Sequence, residues 1–580
     1  MKRAAILGAG LALSAGCGGG QTQGRAFDPL WSSDEGVGIA AFRASFAGTT
    51  VPIGADVAIG VEAGGKAIVG VELVAKATPW RFEHALDARP ALAGGVAVGA
   101  GGGEVFALDA RTGRELWRRP AQGKLRGVGD DGTTTLVSLE PVSGRGSTLL
   151  AVTRDGAVVR QIEDDSQVGT PAVVAGFAFL PWKGQYVTVY DLVRGRETAR
   201  VLLRQQTSRA FAQGGALFFG ELTATRFDDD IRLGAAGRAS TVTLPARELA
   251  GPPRWMTPGH DPRPIASGAD DKIRLYARPT ATGPAGVDSG RFAATYYRVV
   301  IGLDAQTGAF AWTRATGADV IGGAAAKGGF ALCDADGKVS FLDAASGGLA
   351  GEASLGRAIE DCVVQAEAIV VPRAPRTKAT AESLAEVVAL PGAELVMAQK
   401  LLLRELASLP DEGVTRAIID LAASDRTPPA LVADARGVLA SRRSGAPAML
   451  EALAWRYDHL AGGKRRPPVG PIADALAAIG DPRAAPRLAA HLLDPECPIE
   501  DLERVAAALV TLAGRDELPA LTTFFALNRG TVDDEPTANA IVSVTRALVR
   551  LGAGEVVAAT MGDGFTQPIV KARLAPLVRR

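Results

Sequence analysis

The chain has 580 residues, with 63 basic and 63 acidic side chains that cancel, which argues against nucleic acid as the main ligand because phosphate binding calls for a basic excess. This length admits a large core and more than one domain. Seventy glycines separated by alternating apolar segments point to many β-turns. The four cysteines, Cys17, Cys333, Cys362 and Cys497, form neither a CxxC pair nor a Cys/His cluster, which argues against a structural zinc site.

At the N-terminus, Lys2 and Arg3 precede an apolar run from Ala4 to Ala15 that is too short to span a bilayer and ends in small residues before Cys17. This resembles a bacterial lipoprotein signal. The resemblance implies a signal peptide over 1–16, acylation of Cys17 that anchors the chain in membrane lipid, and a flexible tether over 17–36. Ser14 stands where such signals usually carry Leu; the alternative is an ordinary secretory signal. Gly18, where an Asp is absent, resembles lipoproteins sorted to the outer membrane.

Residues 37–372 carry period-two apolar segments between glycine turns, such as Gly95–Gly99 and Ala216–Phe219, and predict an all-β domain of many short strands. Ala107-Leu108-Asp109-Ala110-Arg111-Thr112-Gly113-Arg114-Glu115-Leu116-Trp117 recurs as Gly302-Leu303-Asp304-Ala305-Gln306-Thr307-Gly308-Ala309-Phe310-Ala311-Trp312, with Asp, Gly and Trp at identical offsets. Weaker copies keep Asp191 with Gly195 and Asp343 with Gly347. The aspartates lie 82, 113 and 39 residues apart, which reads as two, three and one units of roughly 40 residues, the length of a four-stranded propeller blade. An Asp carboxylate can accept from turn N–H groups, glycine permits a left-handed turn residue, and the tryptophan falls on the next strand, where it can pack between blades. The segment resembles the tryptophan-docking repeat of pyrroloquinoline-quinone (PQQ) type propellers, and the length available allows seven or eight blades. Eight are favoured, with a strand near Gly38–Phe42 closing the ring. Cys333 and Cys362 fall on strands of neighbouring blades and are a candidate disulfide, which export makes chemically permissible.

Residues 373–392 read as a charged, proline-bearing linker. From 393 to 580 the period becomes helical: Leu403–Leu409 has amphipathic spacing, and Ala475–Leu488 shows a helix, a glycine stop and a proline restart. Stop glycines at 480, 514 and 552 are spaced like helix pairs, and the segment resembles short HEAT-like repeats, which stack as a solenoid.

The PQQ-type resemblance raises quinoprotein chemistry. However, there is no Cys-Cys pair, and aromatic residues make up only 5%, so neither a cofactor nor catalytic residues are expected. Asp334-Ala335-Asp336-Gly337 starts like a calcium loop but lacks the later ligands, and is expected to be a β-turn. Asp228–Asp230 reads as a solvated acidic loop, and Lys464–Arg466 as a basic interhelix loop. His84, His260, His459 and His491 show no catalytic or ligating spacing. The expectation is a non-enzymatic, lipid-anchored envelope scaffold binding a protein partner. Its nearest family analogy is the propeller lipoproteins of the outer-membrane β-barrel assembly machinery, and the alternatives are a quinoprotein-type oxidoreductase or a propeller binding a small molecule or glycan.

Overall fold

The computed structural model describes residues 51–578, apart from 228–240, 244–272, 279–289, 368–374, 456–465 and shorter breaks at 52, 75–76, 185, 203–207, 214–215, 220–222 and 305–307. The signal segment, Cys17, the strand expected near 38–42, Asp228–Asp230, His260 and His459 all lie outside the described residues.

Seven four-stranded antiparallel sheets are present among the described residues. Six are consecutive: blade 2 (91–120), blade 3 (124–164), blade 4 (172–202), blade 5 (210–243), blade 6 (273–315) and blade 7 (320–354). Blade 1 is composite. Its outer strands are Val57–Val61, Ala67–Glu72 and Trp80–Glu83, and its innermost strand is Asp361–Gln365, paired antiparallel to Val57–Val61 with Gly60 opposite Cys362. The observed closure therefore joins the C-terminal end of the propeller to its beginning.

An eighth blade is not seen among these residues, and one of the aspartate intervals holds fewer blades than its length implied. Asp109, Asp191, Asp304 and Asp343 each end the third strand of blades 2, 4, 6 and 7. The 113-residue interval between Asp191 and Asp304 thus spans two blades, and the surplus lies between Phe227 and Ile273.

The helical half comprises α1 (Thr380–Val388), α2 (Val396–Ser408), α3 (Glu412–Ala423), α4 (Pro429–Ser441), α5 (Ala446–Ala452), α6 (Val469–Ile479), α7 (Ala485–Leu492), α8 (Ile499–Leu512), α9 (Leu518–Asn528), α10 (Glu535–Arg550), α11 (Gly554–Thr560) and α12 (Pro568–Val578). Alternate helices pack in sequence: α2, α4, α6, α8, α10 and α12 form one layer, and odd-numbered helices lie against it as the other. The stop at Gly480 is left-handed (φ 77°), and Asp481 caps the restart by accepting from the Arg483 N–H at 3.1 Å. Gly514 behaves differently. It is extended, and its N–H donates to Glu517 at 2.7 Å, so it opens the next turn instead of stopping the last.

The segment read as a linker is partly structured. Arg376 forms a two-way backbone bridge with Leu349 on the outer strand of blade 7, and α1 follows directly, packed against Phe310–Ala315 of blade 6. Leu384, Val387 and Val388 of α1 share one core with Phe292, Ala294, Ile301 and Leu303 of blade 6. The intervening Ala293 and Val300 face blade 7 instead. Strand alternation thus gives blade 6 two different neighbours, a blade on one face and the helical array on the other.

Candidate functional site

The repeated turn is where the sequence placed its distinctive side chains. Asp109 Oδ1 accepts from the N–H groups of Arg111 (3.1 Å) and Thr112 (3.0 Å) and from the Thr112 hydroxyl (3.0 Å). The Gly113 N–H donates to the Asp109 carbonyl at 2.8 Å from a left-handed conformation (φ 72°), which disfavours a side chain there. Asp191 and Asp343 repeat the arrangement, accepting from Arg194 N–H and Ser346 N–H at 2.8 Å each. The Asp304 carbonyl likewise accepts from the Gly308 N–H at 2.8 Å, and its carboxylate is ion-paired with Arg291.

Trp117 and Trp312 occupy equivalent places, each on the fourth strand of its blade, opposite Ala107 and Gly302 respectively. Trp312 lies against blade 7, its Nε1 donating to the Ala344 carbonyl at 2.9 Å, and a Cβ on Gly347 would collide with its ring. Trp117 packs into the blade 3 core beside Gly156, and among the described residues its Nε1 has no hydrogen-bond partner.

Two further members of this series escaped the sequence reading. Trp80, on the fourth strand of blade 1, donates to the Ala110 carbonyl at 3.1 Å and covers Gly113. Arg160, on the fourth strand of blade 3, covers Gly195 and donates to the carbonyls of Leu192 (3.3 Å) and Val193 (2.8 Å). Each side chain seals a blade onto the turn of the next. The only signal for Trp80 was its spacing of about one blade from Trp117, because the loop before it lacks the Asp–Gly pair.

The innermost strands of all seven sheets line an axial cavity of about 330 Å³, with Ala93, Asp130, Ala172, Gln213, Tyr276, Ala324 and Gln365 at its wall. Its polar side chains make internal contacts. Gln365 Nε2 donates to the carbonyls of Ala55 (3.0 Å) and Gly94 (2.8 Å), and Gln213 Nε2 to that of Ala325 (3.0 Å). Asp130 is paired with Arg154 at 2.9 Å. Burial nonetheless raises its pKa, against the opposing pull of that arginine. Tyr276, buried at the wall beside Thr295, is pushed up to about 12 by the same loss of solvent.

Asp334–Gly337 forms the expected β-turn, Asp334 accepting from the Lys338 N–H at 3.0 Å. His84 contacts the Ala85 carbonyl and lies tilted against Phe106, while buried His491 contacts the Leu453 carbonyl at 2.8 Å. They lie in different halves of the molecule. Cys333 and Cys362 are both buried thiols in one core cluster; Cys497 is a half-buried thiol in the helical half. Among the described residues no helix is long and apolar enough to cross a membrane.

Repeated four-stranded sheets, sealed by side chains docked on Asp–Gly turns, define a PQQ-like β-propeller. Residues 66–223 and 250–352 match the family described as outer membrane protein assembly factor BamB, and the propeller resembles that protein's. Among solved structures, BamB from Moraxella catarrhalis aligns at 16% identity over 54% of this chain and 86% of that one, with a TM-score of 0.29. The computationally designed Ika8 protein aligns at 14% identity over 48% and 89%, with a TM-score of 0.31. No curated protein matches the sequence.

Proposed function

We propose that this chain is a non-enzymatic assembly scaffold of the bacterial cell envelope, anchored in the outer membrane through acylated Cys17 and binding a protein partner. The observation that carries the reading is the family match across the blades, residues 66–223 and 250–352. In this reading the seven sheets form the propeller, and the two helical layers are a HEAT-like array offering a second surface.

The chemistry of the repeat supports a structural role for the blades. Its aspartates accept hydrogen bonds within their own turns, and its tryptophans pack at blade junctions. The surface is different. Because adjacent strands alternate in direction, the turns after third strands lie at the same end of the ring as the segment entering the second strand. At that end Ile53, Val74 and Val193 are 70%, 51% and 73% exposed, apolar contacts of the kind loops present to protein partners.

The test is photo-cross-linking in the native envelope from positions 53, 74 and 193. Adducts with an envelope protein are expected, and Ile53→Asp, Val74→Asp and Val193→Asp together should remove them while leaving the fold intact. Absence of a protein adduct from all three positions, in a chain shown to be folded, would refute this surface. Acyl-chain labelling at Cys17 tests the anchor separately.

A further inference from the structure

The two buried cysteines of the propeller sit where the ring closes. Cys333 lies on Gly329–Asp334, the second strand of blade 7, and Cys362 on Asp361–Gln365, the innermost strand of blade 1. Alternation settles which way each points. Ala331 and Cys333 share the blade 1 side of their strand, whereas Phe330 and Leu332 face blade 6. Cys362 belongs to the same blade 7–blade 1 core as Cys333.

Gly322 fixes how close they come. It is the direct cross-strand partner of Cys333, so a side chain there would stand beside that of Cys333 on the same face. A Cβ built on Gly322 would lie 2.8 Å from the Cys362 Cβ and would collide with the Cys362 carbonyl. The missing side chain leaves room for the closing strand to bring Cys362 up against the face that carries Cys333, inside one core.

We infer that Cys333 and Cys362 form a disulfide that staples the last blade to the first. One cysteine thiolate attacks a disulfide-bearing oxidant, giving a mixed disulfide and releasing one thiol. The second cysteine then displaces the other thiol. The two protons the cysteines lose are taken up by the two thiols of the reduced oxidant. The pairing relies on the export reading only for the source of oxidant in the cell.

Timing follows from burial. Desolvation, followed by the neighbouring Cys362 thiol, holds the Cys333 pKa well above the ordinary thiol value, so the folded ring offers little thiolate for exchange. The bond therefore forms before the closing strand is fully seated. Cys497 is a poor competitor, because burial and then Asp501, Asp494 and Glu500 push its thiol up to about 12.

The test is cell-free synthesis of the full chain with oxidised or with reduced glutathione, followed by alkylation and non-reducing peptide mapping. Oxidised synthesis should yield one linked pair, Cys333–Cys362, and a thermal midpoint roughly 5 °C above that of the reduced protein. Cys333→Ala and Cys362→Ala should each erase that difference, and the double variant should lower the oxidised midpoint no further than either single one. Recovery of both residues alkylated after oxidised synthesis, or linked to Cys497 instead, would overturn the pairing. Export plays no part in this system, so a negative result refutes the pairing and leaves the envelope reading standing.

Discussion

Blade 6 meets two neighbours through one set of strands. On one face Ala293, Val300 and Trp312 pack on blade 7, with the Trp312 indole aimed at the next turn. On the other, Phe292, Ala294, Ile301 and Leu303 pack on α1 and the helical array. The first junction relies on a directed aromatic and a glycine; the second is an apolar interface between a sheet and a helix. A one-residue offset along a strand decides which partner a side chain serves.

The helical junction is the place to break this contrast most severely. Val387 is fully buried between α1 and its neighbours, so Val387→Asp would leave an unpaired charge there and should cost about 5 kcal/mol. Thermal unfolding should show the loss, and limited proteolysis should cut near 375–380 first; unchanged protection would mean that α1 is not a clasp.

The tryptophan junctions sharpen the contrast next. Trp312→Ala should cost about 4 kcal/mol, and Trp117→Ala about 1 kcal/mol less, because of these two indole nitrogens the one on Trp312 donates a hydrogen bond and the one on Trp117 finds no partner among the described residues. Denaturant unfolding of the two variants checks the order, and equal losses would show that the hydrogen bond adds nothing.

The smallest effect lies at the far end of the array. Burial raises the Asp563 pKa, but the Thr566 N–H, Arg529 and the Thr566 hydroxyl outweigh it and bring the group to about 2. A depressed carboxyl contributes stability that is fully present above its ordinary value of 3.8 and is lost as pH falls towards 2. Hydrogen exchange between α11 and α12 should therefore quicken over that window while the blade 6–blade 7 junction, held by the Trp312 indole and apolar packing, holds longer. Simultaneous loosening of both would contradict it.

These contrasts also mark what the sequence made legible. Asp109, Gly113, Trp117 and their copies stood out because one turn geometry demands the same chemistry each time, and the helix stop at Gly480 stood out for the same reason. Trp80 was hidden because the preceding loop needed no Asp–Gly turn, and Arg160 because a guanidinium does the work of an indole. The two-sided role of blade 6 had no signature at all. An apolar face reads the same in sequence whether a sheet or a helix covers it, and the insertion after Phe227 disguised the blade interval.

The composite first blade carries a consequence for biogenesis. Its outer strands are made at residues 57–83, but the strand that completes them arrives only at 361–365. Through the synthesis of nearly three hundred residues, Val57–Val61 presents an unpaired backbone edge of Val, Ala, Ile, Gly and Val, a ready template for another strand. A second nascent molecule could donate its own 361–365 segment to that edge, giving an interlocked dimer by strand exchange. Faithful monomer production thus depends on shielding five residues until the far end of the same ring emerges.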